Sequence, residues 1–242
     1  MKKFLDRILP SAIALVIAFA GAFTSAHVIK IAMPSAVIGS DLYEIAIMDA
    51  VKAESDEIIP LVTIDEAVEE VLVVTFHRYP DSYPIGEEVT LEWGGVWTFT
   101  ADEINKWYDH NNGGVTDWDL RLKQLIGLPA EKEYTHFTAL WVSPDDIIRP
   151  AYVTDIYSAE MSTELSEDVE DSYREWFESN IVDSYFSQGN YPWTRLGYTY
   201  DWADTGSDYG LTEFLVSAGS KVRVEFTLTT NEFVTWLADI ME

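Results

Sequence analysis

The chain contains no cysteine, so no disulfide can staple the fold and no thiolate can act as nucleophile or metal ligand. Histidine is nearly as scarce. With only four (His27, His77, His110 and His136), a three-histidine metal site would use almost all of them. Cations are few, 15 Lys and Arg against 42 Asp and Glu, and the formal net charge is −27. Nucleic-acid affinity depends on Lys and Arg neutralising phosphates, so this polyanion is expected to have no nucleic-acid partner. Anionic membrane surfaces are disfavoured for the same reason. A glycine-rich phosphate loop, a G-x-S-x-G elbow and an H-E-x-x-H pair are all missing, which lowers the expectation of an enzyme. What is present is 48% hydrophobic residues in 242, enough for one sizeable core held by packing.

The N-terminus, MKKFLDRILPSAIALVIAFAGAFTSA, sets Lys2, Lys3 and Arg7 ahead of an apolar stretch from Ile8 to Phe23 and then Thr24, Ser25 and Ala26. Residues 1–26 have the layout of a secretory signal peptide, cleaved after Ala26 or Ala22. The alternative is an uncleaved membrane anchor, because the apolar stretch approaches the roughly 20 residues a membrane helix needs. Pro10 and the small residues near the end favour cleavage. Either way the remainder is expected outside the cytoplasm, secreted or tethered through its N-terminal segment. Residues 27–62 show no sustained period and read as a lead-in with one short element. Residues 63–242 then form a single domain.

Within that domain, Thr63-Ile-Asp-Glu66 fits a capping box, and β-branching predicts a strand from Val71 to Phe76. VTLEWGGVWT alternates on either side of Gly94-Gly95, which predicts a hairpin. Thr100-Ala-Asp-Glu103 opens a helix with Ile104, Trp107 and Tyr108 on one face. A second helix opens at Thr116 or Asp117, carries Trp118, Leu122, Leu125 and Ile126, and stops at Gly127. FTALWV is a buried strand, and a later helix carries Tyr173, Trp176, Phe177 and Ile181. YTYDW, LTEFLV and KVRVEFTL are strands, and Thr229-Thr-Asn-Glu232 caps a last helix. Irregular alternation with hairpin-like spacing near the end predicts an α+β fold with a mostly antiparallel sheet and several packed helices.

Three sets of residues are candidates for function. DHNNGGVTD places Asp109, Asn111 and Asp117 at positions 1, 3 and 9 of a calcium loop, with Gly114 at the turn. Gly113 and Leu120 break the pattern at positions 5 and 12, so a polar helix connector reads the same way. No other cofactor is indicated. Asp201 and Glu213 are the carboxylates, with Asp204, nearest the aromatic cluster, and a hydrolase would use them as acid and base. YPWTRLGYTYDW, residues 191–202, packs five rings, one arginine and one aspartate into twelve positions. Trp193, Arg195, Tyr198, Tyr200 and Trp202 form either a platform for a glycan or peptide or a core corner. In both, Arg195 stacks on Trp193 and pairs with Asp201 or Glu213. Aromatic burial favours the corner.

FTALWV with SPDDIIRP, followed by YPWTRLGYTYDWAD and YGLTEFLV, resembles the C-terminal half of a family of secreted bacterial proteins with no established activity. In that family a strand ending in LWV leads to a PADLFRP-like turn, and a GYPWTRLGYTYDWG-like block precedes GLSEFV. The likeness spans about residues 89 to 235, and the YPWTRLGYTYDW block is its specific part. Family members carry cysteines near the RP turn, where this chain has Ala151 after Pro150, so no disulfide is carried over. The resemblance implies secretion and one continuous domain, and no activity. The expectation is a binding or structural module rather than an enzyme, with a glycan-directed extracytoplasmic hydrolase as the alternative.

Overall fold

The computed structural model describes residues 35–187 and 189–240. The expected signal peptide or anchor over 1–26 lies outside them, as do residues 27–34. Among the described residues no helix is long and apolar enough to cross a membrane.

The lead-in holds more than one short element. Ser35–Ala50 form a 16-residue helix, α1. Its apolar residues surround the axis, Ala46 and Ala50 buried but Ile45 and Met48 exposed, so no single stripe marks it in the sequence. The box at Thr63 starts no helix, and the chain passes through turns into β1 (Val71–His77). After it come β2 (Glu88–Thr90), β3 (Val96–Thr100), α2 (Ala101–Asn111), α3 (Trp118–Leu125), β4 (His136–Val142), β5 (Ile147–Ile148) and α4 (Asp171–Phe186). The chain ends through β6 (Tyr198–Tyr200), β7 (Tyr209–Thr212), β8 (Phe214–Val216), β9 (Lys221–Thr229) and α5 (Thr230–Asp239).

Seven strands form one sheet in the order β2-β9-β4-β1-β3-β8-β5, every pair antiparallel. The fold is α+β, as expected. Both faces of the sheet are covered. Val74, Phe137 and Ala139 meet Ile104, Leu122, Leu125, Phe233 and Leu237 from α2, α3 and α5. Val73, Leu140, Val142 and Val224 meet Ile64, Tyr83, Leu91 and Ile156 from the loops. Double coverage is why VLVVTF and FTALWV are apolar runs rather than alternations.

The expected hairpin around Gly94-Gly95 does not form. β2 pairs with β9 and β3 with β1 and β8, so three strands stand between them. Leu91 decides this. It is fully buried, its amide donates to Ser220 O at 3.0 Å, and its carbonyl accepts from Gly219 N at 2.8 Å, which ties the segment to the turn before β9.

LTEFLV is likewise not one strand. β7 pairs with β6 in a separate two-stranded sheet, whereas β8 belongs to the large one, and Glu213 is the residue between them. The small sheet presses on α3 where Gly210 leaves no room. A Cβ there would lie 2.1 Å from Thr199 Oγ1 and 2.3 Å from Leu125 O. Gly210→Ala is expected to cost about 2 kcal/mol by overpacking, seen as a lower urea midpoint at unchanged slope.

Candidate functional site

The aromatic block is a core corner. Trp193, Arg195, Tyr198, Tyr200 and Trp202 are each no more than 8% exposed, so the surface-platform alternative is set aside. Their polar ends are committed internally. Trp193 Nε1 donates to Pro150 O at 3.1 Å, Tyr198 Oη to Glu57 O at 3.1 Å, Tyr200 Oη to Asp49 Oδ2 at 2.9 Å and Trp202 Nε1 to Leu128 O at 2.9 Å. Gly197, at φ +82°, lets this chain pass where a Cβ would lie 2.7 Å from Leu61 Cδ1 and 2.8 Å from Arg149 Cδ.

Arg195 does organise this corner, but not through the expected partners. Its Nη2 donates to Ala50 O at 2.7 Å and Val51 O at 2.8 Å, and Nη1 donates to Tyr152 Oη at 3.1 Å. The guanidinium lies over Tyr185 and Tyr152 rather than Trp193, and neither Asp201 nor Glu213 is its counter-ion. The reason is that α1 ends here: its last carbonyls lack helical partners, and its C-terminal dipole end attracts a cation. Arg195 adopts φ +61°, the one non-glycine left-handed residue among those described. Arg195→Met is expected to cost about 2 kcal/mol through the orphaned carbonyls. Hydrogen exchange should then accelerate in α1 before it does in β4.

Asp201 is taken by Arg121, with Nη1 to Oδ1 at 3.0 Å and Nη2 to Oδ2 at 2.6 Å, and Oδ1 also accepts from Ala203 N. Arg121 in turn covers the Trp107 ring at 4.7 Å. This two-pronged ion pair ties the corner to α3 and leaves Asp201 unsuited to act as a free base.

Glu213 is placed differently. The ladder between β1 and β3 ends at Val74↔Phe99, although β1 continues along β4 to His77 and β3 runs back along β8 to Val96. The sheet is therefore parted, and a cavity of about 690 Å³ lies between the arms. Thr75, Phe76 and His77 line it from β1, and Val96, Trp97, Thr98 and Phe99 from β3. α4 adds Asn180, Asp183 and Ser184, and the aromatic block adds Tyr191, Trp193 and Tyr200. Tyr79 and Trp93, each more than half exposed, stand beside the arms' free ends. Glu213 follows Thr98↔Phe214 in register and so sits beside Phe99, where the strands part. It lines the cavity, its Oε2 is buried with no partner among the described residues, and burial pushes its pKa up to about 8. At neutral pH it is mostly a neutral acid.

His77, a second titratable group on the cavity wall, is fully engaged. His77 Nδ1 accepts from Tyr79 N at 3.0 Å, so the neutral ring carries its proton on Nε2 and donates to Thr138 Oγ1 at 2.7 Å. Thr138 Oγ1 donates to Thr227 Oγ1 at 2.8 Å, which donates to Tyr83 O at 2.9 Å. Burial, with His136 nearby, lowers the His77 pKa to about 4. The ring is a neutral strut rather than a base or ligand.

The calcium candidates do not gather around a common point through their hydrogen bonds. Asp117 Oδ1 caps α3 by accepting from Leu120 N at 3.0 Å, Asn111 Nδ2 donates to Trp107 O at 2.7 Å, and Asp109 is exposed on α2. Among the described residues no three His, Asp or Glu side chains form a metal-binding group. Glu213 was the one candidate carboxylate to reach the cavity. The sequence carries no local mark of Thr75, His77, Trp97 or Asp183, because the parted strands bring them together from distant positions. No protein-family model, curated protein or solved structure matches this chain.

Proposed function

We propose that the protein is a secreted or membrane-tethered binding module that encloses a small ligand, or one unit of a glycan or peptide, between the parted strands. The cavity carries this reading. Its volume of about 690 Å³ falls within the range of small-molecule sites, and its walls combine many aromatic rings with polar side chains. The signal-peptide-like N-terminus supports an extracytoplasmic location. Trp93, Trp97 and Trp193 line the site, so occupancy is expected to shift tryptophan emission. A panel of glycans, short peptides and small organic solutes should contain at least one saturating ligand. Trp97→Ala should weaken it about tenfold, the loss of one well-placed ring. Emission and melting temperature unmoved by the whole panel would count against a binding role.

One observation favours a second reading, an extracytoplasmic hydrolase: a carboxyl held protonated in a cavity suits a general acid. Asp201 cannot be its partner there, and Asp183 is the carboxylate that lines the same cavity. Glycoside turnover abolished by Glu213→Gln would support the enzyme.

A further inference from the structure

Burying an ionisable group without a partner is costly, and a fold that does so invites the question of what completes it. Glu213 Oε2 is such a group. The buried arginines direct their terminal nitrogens elsewhere: Arg121 to Asp201, Arg195 to the end of α1, and Arg149 to the carbonyls of Val62, Asp155 and Ser158. The Nε atoms of Arg149 and Arg195 are buried without a partner among the described residues, and neither arginine bonds Glu213. Among the described residues Lys132 is the one Lys or Arg on the cavity wall. It is held by the Tyr191 hydroxyl and lies 5.0 Å and 5.1 Å from the ring centres of Tyr134 and Tyr191. Around it the walls offer ring faces, which attract cations. The remaining titratable groups facing the cavity are Asp183, the neutral His77 and tyrosines. The whole molecule, at −27, raises the local concentration of cations.

We propose that the ligand bears a protonated primary amine on an apolar body, and that Glu213, where the strands part, is its counter-ion. This rests on the cavity being a ligand site and specifies the chemistry that site selects. An N–H donor supplies the hydrogen bond Oε2 lacks, and the rings hold the apolar body. Binding is an exchange: the Glu213 carboxyl releases its proton to solvent and the resulting carboxylate accepts from the ammonium. Since Glu213 titrates near 8, affinity should rise roughly tenfold per pH unit between about 6 and 7.5 and level off above that pKa.

The test uses phenethylamine and hexylamine against their neutral isosteres 2-phenylethanol and 1-hexanol, followed by calorimetry and tryptophan emission. The expected result is amine binding at least tenfold tighter than alcohol binding. Close to one proton should be released per amine at about pH 7, read from the buffer dependence of the heat. Glu213→Gln, with its melting curve checked, should lose this preference. Equal binding of alcohol and amine, absence of proton release, or no amine binding at millimolar concentration overturns the proposal. If neutral ligands from the wider panel still saturate the emission change, the binding role survives while the amine chemistry fails.

Discussion

Glu213→Gln is expected to melt about 10 °C above the parent protein near pH 8.5 and close to it near pH 5. A free glutamate ionises near 4.5, whereas burial holds Glu213 near 8. The folded state therefore keeps a proton that the unfolded chain has released. Its contribution is complete below about 4.5 and is lost progressively as pH rises to about 8. Each unit of difference is worth about 1.4 kcal/mol. Because the side chain is partly accessible to the cavity, the total is of order 3 kcal/mol, and a domain of this size shifts by about 2–4 °C per kcal/mol. Glutamine carries no charge and escapes the loss. Any fixed cost of its amide is the same at both pH values and cancels in the comparison.

His77 acts with the opposite sign. Its folded pKa of about 4 lies below the ordinary 6.5, so the stability tied to its neutral ring is complete above 6.5 and is lost as pH falls towards 4. Parent and variant share that loss, which leaves the difference between them to Glu213 alone. A melting gap that is the same at both pH values would mean that Glu213 does not titrate in this window.

Arg149→Met is expected to destabilise the protein by about 5 kcal/mol, a large part of the roughly 5–15 kcal/mol that holds an ordinary domain. Arg149 follows β5 and is fully buried. Its Nη1 donates to Asp155 O at 2.5 Å and Ser158 O at 2.6 Å, and its Nη2 to Val62 O at 2.9 Å. One guanidinium thus ties the segment before β1 and the loop after β5 to the same point. Burial draws its pKa down to about 10, which leaves it charged at neutral pH. Methionine fills much of the stem's volume but leaves three carbonyls unpaired, each costing about 1–3 kcal/mol. Denaturant unfolding measures the loss, and Arg149→Lys should recover part of it because an ammonium still donates. A methionine variant within about 1 kcal/mol of the parent would show that water replaces the guanidinium at those carbonyls.

Elements whose ends carry local chemistry were legible in the residues. Asp117 and Gly127 bound α3, Thr229 and Glu232 close both halves of a capping box on α5, and the apolar runs of β1 and β4 are strands. Thr100 caps α2, but only half of its box forms. Glu103 Oε1 accepts instead from Thr212 N at 2.9 Å and Thr212 Oγ1 at 3.0 Å, a partner more than a hundred residues away. The same limit explains the misread glycine pair and the divided LTEFLV strand. Alternation reports which residues face opposite ways, but not which strand will lie alongside.

By itself, then, the sequence determined the antiparallel α+β class, the want of disulfides and phosphate-binding loops and the strong negative charge, and it favoured an internal role for the 191–202 block that burial then decided. Those follow from composition, caps and short-range period, which act over a few residues. The partners of Arg195 and Asp201, the parting of β1 from β3, and the cavity that receives Glu213 were decided only by tertiary structure. Each depends on groups far apart in the chain meeting where water is excluded, and there burial and geometry rather than local preference choose the partner.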